Sequence, residues 1–372
     1  LLMMATQHRV LPLVHHRLRG SGADWPVPGS VRDASAASFR RYSLRAAKAQ
    51  RALARCLAIL AEAGIGVTAL KGAWLAFHAY PQPGLRPLRD LDLLVARGQA
   101  QPAFERLLAA GFKPMLGKTG DLSSYMRVKH QLPPLRCPET GICVELHHRC
   151  LHGGDGTPDL PDDPGFRARL ISGTVGGRPL TYMGREHLLL HLVIHSALDH
   201  QFDNGPGILP DVAMVLTSGP FDWACFWALA ERFEAEKAAL LILTMAERLW
   251  GVSQVDWQGR LARAEAISPA LLHAAMRLSL RDLQSGKRLA VLGDIDARAG
   301  GAAKVWFVLG KVFPRPLLLR AVYGEPDSPL GWPGLYFRRW RDMLARRLAS
   351  GQTVSAHDRA DLAALSAWVG QR

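Results

Sequence analysis

The sequence predicts an α+β chain: a mixed sheet flanked by helices, followed by a mostly helical half. Three observations carry that prediction. Between residues 38 and 112 the hydrophobic period switches repeatedly between helix-like and strand-like in short, punctuated segments. Residues 134–149 alternate as a hairpin does, with turn residues at the centre. Beyond Arg185 the helical period dominates.

In chain order, residues 38–64 read as a long helix: apolar positions recur three and four apart, arginine and lysine fill the other face, and Gly64 ends it. GVTAL (66–70) reads as a short strand, KG (71–72) as a turn, and AWLAFHAY (73–80) as a helix stopped by Pro81. The Pro/Gly-rich stretch 81–89 is a loop, DLDLLVA (90–96) a strand, and 101–112 a helix. In the 134–149 hairpin, ETG supplies the turn and ICVELHH returns. Residues 152–165 are loop by composition. Helices follow at 185–200, 209–219, about 221–250 and 268–286. These elements divide the chain into an N-terminal helical segment (1–37), an α/β domain (38–165), a helical domain (166–300) and a basic aromatic C-terminal segment (301–372).

A formal net charge of +14 and a pI of about 10.1 favour anionic partners without choosing among nucleotides, nucleic acid, sugar phosphates and membrane surfaces. Much of the excess lies in Ala/Leu/Arg-rich helices, where solvated faces account for it. A nucleic-acid partner rests on charge alone and is not expected. Five cysteines, an odd number without a disulfide-dense pattern, fit a reducing cytoplasm. No apolar run reaches the roughly 18 residues of a membrane span. The nearest, 305–319, is broken by Lys311, Pro314 and Arg315.

The chemistry centres on Asp90 and Asp92. At i and i+2 on a strand they share a face, with Cβ atoms roughly 6–7 Å apart. Carboxylates so placed repel each other unless a cation lies between them, and a pair of magnesium ions about 3.5–4 Å apart is a clamp for in-line phosphoryl or nucleotidyl transfer. Charges alternating on an exposed strand spell the same pattern, so context decides. Gly72, at a strand-to-helix turn, lets backbone N–H groups approach a phosphate, and Lys71 adds a point charge there. Arg86 and Arg89 precede the carboxylates on a loop, where they reach a phosphate chain or remain solvated. Glu145 sits mid-strand among apolar neighbours, where glutamate is costly without a partner. It is either the third metal carboxylate or an outward-facing strand residue.

Residues 70–95, LKGAWLAFHAYPQPGLRPLRDLDLLV, followed by VELHHR (144–149), resemble the uncharacterised nucleotidyltransferase-like family of the DNA polymerase β-type nucleotidyltransferase superfamily. The likeness extends over roughly residues 40–220 and includes His130, HLLLHLVIHSA (187–197) and Asp211 in PDVAMVL. It implies a polymerase β-type sheet with flanking helices. It also implies two magnesium ions, or manganese in their place, held by Asp90, Asp92 and Glu145, the catalytic carboxylates. Lys71, Gly72, Arg86, Arg89, His130 and His147 would bind the nucleotide. The reaction implied moves a nucleoside monophosphate from a triphosphate to a small-molecule, glycan or modified-peptide acceptor, since relatives often accompany genes for polysaccharide or modified-peptide biosynthesis. Two departures stand out. The superfamily's Gly-Ser or Gly-Gly turn is Gly72–Ala73 here, and PGILP before Asp211 lacks the family's arginine and tryptophan. Alternatives are therefore a transferase using a nucleotide-activated sugar, and a non-catalytic nucleotide-binding protein with a degenerate site. Replacing Asp92 by asparagine is expected to abolish transfer and to leave the melting temperature unchanged or raised.

Other constellations carry less. His187, His191 and His195, at i, i+4 and i+8, pack against the first domain or line its cleft, but lack the glutamate of a zinc-protease helix. Cys137, Cys143, Cys150, His147, His148 and His152 lack zinc-knuckle spacing. Asp199, Asp203 and Asp211 form a further acidic group, in which Asp211 reads as a helix-opening carboxylate. The basic aromatic stretch 336–348 reads as a packed amphipathic helix, with contact to an anionic membrane or to RNA as the alternative.

Overall fold

A computed structural model describes residues 2–20, 26–115, 120–154, 156–281, 300–326, 328–349 and 355–370. Its centre is a mixed seven-stranded sheet: β1 (Thr68–Ala69), β2 (Asp90–Leu94), β3 (Lys113–Pro114), β4 (Leu135–Arg136), β5 (Cys143–His147), β6 (Ile171–Val175) and β7 (Arg178–Tyr182). The spatial order is β3-β4-β5-β2-β1-β7-β6. β2 and β5 are parallel, as are β1 and β7, whereas the remaining neighbours are antiparallel. A parallel pair needs a crossover, and the amphipathic helix Ala100–Ala109, burying Ala103, Phe104 and Leu107, lies within it.

The helix Gly29–Glu62 backs the sheet. Its buried positions, Ala49, Ala52, Leu53, Cys56, Leu57 and Leu60, fall three and one apart and make a single stripe. It begins nine residues before the position predicted from periodicity. The run Asp33–Ser38 has no large apolar residue and so carries no helical stripe, yet its three alanines favour helix, Ser35 and Ser38 are buried, and Ser35 Oγ donates to the Arg32 carbonyl.

The hairpin β6–β7 was not foreseen. It lies in the stretch assigned to the start of the helical half, and it extends the sheet past residue 165. Gly176 and Gly177, at φ 59° and 74°, form the turn between its strands, the left-handed pair that a two-residue hairpin loop requires. After it come helices Arg185–Val193, Ile208–Thr217, Trp223–Arg232 and Glu236–Met245. The helix predicted at 185–200 continues past Val193 as a π-helical turn, Ile194–Asp199. One apolar cluster joins both halves, from Ala49 through Leu146 and Leu189 to Leu365. The helix predicted over 268–286 is Pro269–Ser279, and residues 282–286 lie outside the described residues.

In the C-terminal segment, Ala356–Val369 docks on Pro269–Ser279 through a bidentate Arg277–Asp361 pair and buried Leu362 and Leu365. The basic aromatic stretch is helical, Trp332–Ala349, but only one side of it packs. Tyr336 and Trp340 donate to the Pro314 and Val312 carbonyls, while Phe337 and Leu344 remain 68% and 57% exposed. No helix among the described residues is long and apolar enough to cross a membrane.

Candidate active site

The register of the parallel pair assembles the site. Asp92 on β2 stands opposite Glu145 on β5, and Asp90 opposite Cys143. Side chains alternate along strands, so Asp90, Asp92, Glu145 and His147 project from one face, while Leu91, Leu93, Val144 and Leu146 enter the core behind it. Glu145 therefore does not face outward. Ligand atoms of Asp92, Glu145 and His147 all lie within 4.8 Å of one another, a spacing at which they can share one metal ion. Asp90 stands outside that trio, one strand period along the same face.

Each carboxylate has its own electrostatic setting. Burial pushes the Asp90 carboxyl above the usual range, and repulsion from Asp92 adds to this. Glu145 is raised by burial and then by Asp92 and Asp90, although Gln131 Nε2 donates to its Oε2 at 2.7 Å. Burial would raise Asp92 too, but Lys71 and the His147 ring, whose Nε2 lies 3.0 Å from Oδ1, hold it below the usual range. Asp92 is thus the carboxylate whose charge its surroundings favour. Neutralising it removes a favourable interaction, so the stability expected of its asparagine variant reverses.

Lys71 and Gly72 lead into the helix Gly72–Trp74, which continues as the π-helical turn Leu75–Ala79. Lys71 has φ 39° and ψ −106°, a conformation costly for a residue with a side chain. At Gly72 a Cβ would lie 2.6 Å from Arg86 Nη1 and 2.8 Å from Leu88 Cδ2, so glycine is what lets the arginine approach. That arginine is held in place. Arg86 Nε and Nη2 donate to Asp211 at 3.2 and 2.9 Å, and the Tyr80 hydroxyl donates to the same carboxylate at 2.8 Å. Burial would lower the Arg86 guanidinium, but Asp211 raises it above its ordinary value. Arg86 thus lies against the turn with two of its nitrogens committed to the helix Ile208–Thr217. Asp211 is more than a helix-opening charge, for it ties the helical half to the loop ahead of Asp90. Arg89 is exposed, and its backbone carbonyl accepts from Arg45 Nη2.

His147 is fully buried between Asp92 and Glu145, 3.9 Å from Glu145 Oε2. His130 stacks beside it, with ring centroids 5.3 Å from His147 and 3.9 Å from His152. The predicted histidine helix divides its work. His187 pairs with Asp163 at 3.1 Å and packs edge-on against Phe166, whereas buried His191 is under the charges of Lys71, His147 and Asp92. The Nδ1 atoms of His130, His147 and His191 are buried without a hydrogen-bond partner, which leaves lone pairs or protons for a ligand. Neither Gln131 nor Tyr80 had been singled out as a site residue. Gln131 lies ahead of β4 and forms an isolated bridge to His147, and Tyr80 follows the π-helical turn after Gly72, so sequence position offered a weak signal for both.

The family model of uncharacterised nucleotidyltransferases matches residues 1–251, a span that contains every residue of this site. The chain belongs to that nucleotidyltransferase family. No curated protein matches it. Among solved structures, the antibiotic-resistance factor ANT(2'')-Ia is similar at 13% identity and a TM-score of 0.36, covering 51% of this chain and 94% of that one. The candidate site is the carboxylate face of β2 and β5, with the Lys71–Gly72 turn and buried His191 of the helical half close enough to act on the Asp92 charge.

Proposed function

We propose that the protein transfers a nucleoside monophosphate from a nucleoside triphosphate to an acceptor, in a reaction dependent on magnesium or manganese. The observation that carries this reading is the pairing of Asp92 with Glu145 across β2–β5, with Asp90 beside them, in a chain of this family. Asp92 and Glu145 would hold the catalytic ion, and Asp90 with Asp92 a second. His147, against both carboxylates, fixes their orientation and is itself spaced as a ligand. Bound there, divalent ions would offset charge on the triphosphate and the attacking oxygen.

The protein's own groups account for the rest. Backbone N–H groups at Gly72 and the Lys71 ammonium position the triphosphate. Arg86 turns its remaining guanidinium edge toward that turn and stabilises developing charge. His130 borders the nucleotide, and Arg89 guards the entrance. An acceptor oxygen forms a bond to the α-phosphorus, the α–β phosphoanhydride bond breaks, and pyrophosphate leaves. The acceptor's proton leaves to solvent, and Glu145, through the ion it would hold, helps lower the acceptor's pKa.

The experiment is an incubation with α-labelled triphosphates or labelled nucleotide sugars, magnesium and a small-molecule extract. Label moving from the α-phosphate, and not in Asp92→Asn, supports the reading. Label moving only from the sugar favours a group transferase on this fold. Calorimetry without magnesium–triphosphate binding favours a degenerate binding protein, the reading that Ala73 motivates.

A further inference from the structure

A cavity of about 670 Å³ opens where the helix Gly29–Glu62 passes Leu88 and Arg89, just ahead of β2. Arg9, Arg41, Arg45, Lys48 and Arg89 line it, together with Tyr42. Arg41, Arg45 and Lys48 fall at i, i+4 and i+7, so one helix face points three cations into the same space. Arg9 comes from the turn between the two N-terminal helices, with its backbone at φ 59°. Arg89 comes from the residue before Asp90.

These charges are not neutralised. Among the described residues none of the five forms an ion pair, and like charges spaced four apart on a helix destabilise it. A second cavity, of about 380 Å³, differs: its Arg169 lies 2.7 Å from Asp222 and 3.7 Å from Glu186. In the first cavity burial lowers the Arg9 guanidinium below its usual value and Arg89 lowers it further, while Asp90 acts in the opposite direction. Leu88 and Arg89 both line the cavity, and the next residue is Asp90, the first of β2, which places the cavity at the start of the strand that carries the proposed transfer site. Arg45 is built in, its Nη2 donating at 2.6 Å to the Arg89 carbonyl and its Nε to that of Leu88. Arg45 thus fixes the cavity wall to the strand that carries the catalytic carboxylates.

We propose that this cavity binds the acceptor, and that the acceptor is a small molecule carrying clustered phosphate or carboxylate groups. This rests on reading the Asp90/Asp92/Glu145 face as the transfer site. The volume is within the range of small-molecule sites, and five converging cations next to a nucleotide site select an anionic partner by charge. The anionic end anchors in the cavity, and the nucleophile extends past Arg89 toward the carboxylates.

The test is calorimetric titration of the full chain with fructose 1,6-bisphosphate and, separately, with citrate. Each titration is run with and without saturating magnesium and a non-hydrolysable ATP analogue. Three proteins are compared: the parent, the exposed-position double variant Arg41→Ala/Lys48→Ala, and Asp92→Asn. The expected result is that at least one anion binds the parent beside the nucleotide analogue. Its affinity falls on the order of tenfold per cation removed in the double variant, which keeps its nucleotide affinity and melts no lower than the parent. Asp92→Asn should show the reverse, with nucleotide binding lost and anion binding kept. No binding of either anion, equal anion affinity in parent and double variant, or stoichiometric displacement of the anion by the nucleotide analogue would overturn the proposal. So would tighter binding of a single-stranded RNA that depends on Arg41 and Lys48. Anion binding that persists where the parent binds no nucleotide would instead sink the transfer reading and leave the cavity an anion site.

Discussion

Asp92 and Glu145 face each other across the parallel β2–β5 pair, 53 positions apart in sequence, yet burial and neighbours move their acidities in opposite directions. Lys71 and His147 favour the charge on Asp92. Glu145 carries the repulsion. Without a cation the two should therefore respond differently to the same chemical change. Glu145→Gln should raise the metal-free stability, whereas Asp92→Asn should lower it. Both should lose transfer activity. Urea denaturation with chelator present checks the signs, and an Asp92→Asn protein more stable than the parent would refute the assignment of charges.

The Arg86–Asp211 pair predicts a coupling between the two halves. Removing one partner of a buried pair leaves the other uncompensated, at a cost of about 3 kcal/mol or more. Asp211→Asn and Arg86→Met should each destabilise by that order, and the double variant by clearly less than their sum. A double-mutant cycle in denaturant measures this, and additive effects would show the pair to be energetically idle.

Gly72→Ala should do damage out of proportion to one methyl group. The added carbon would meet Arg86 Nη1 at 2.6 Å and Leu88 Cδ2 at 2.8 Å, and Arg86 is anchored by Asp211 and cannot simply swing away. A loss of about 1–3 kcal/mol is expected. Triphosphate affinity should fall further than stability alone explains. Alanine at position 72 with full activity and unchanged melting would remove the turn from the account.

Buried neutral histidines set the acid limb of stability. Burial lowers the folded-state pKa of His130, His191 and His195, with neighbouring His152 adding to it at His130 and Lys71 at the other two. Below the unfolded value of about 6.5 the unfolded chain binds more protons than the folded one, so stability falls as pH falls from there. The slope is at most about 1.4 kcal/mol per pH unit for each such histidine. Denaturation midpoints between pH 7.5 and 5.5 should trace this loss, and His191→Gln should flatten the curve relative to its own value at pH 7.5. A parent profile without slope would contradict buried neutral rings.

The carboxylate pair and the glycine turn were legible because their chemistry is local: two aspartates at i and i+2 on a strand, and a glycine where strand becomes helix. The pairing of Asp92 with Glu145 depends on long-range register, which no single stretch encodes, and only the apolar setting of Glu145 hinted at it. Asp211 lies 125 residues from the arginine it holds, so it looked like an ordinary helix-opening carboxylate. The Gly176–Gly177 signal for β6–β7 was present in the letters. Gly173 and Pro179 hid it: glycine leaves an inward position of β6 without a side chain, and proline is unusual inside a strand. The cation cavity gathers residues from three separate segments, and each of them alone reads as a solvated face.

Manganese binding followed by electron paramagnetic resonance, with a non-hydrolysable ATP analogue present, tests the central claim most directly. The parent should take up about two ions per chain, with Asp92→Asn and Glu145→Gln each losing tight uptake while remaining folded by circular dichroism. Manganese bound equally well by the parent and both folded variants would contradict a metal site on the β2–β5 carboxylates.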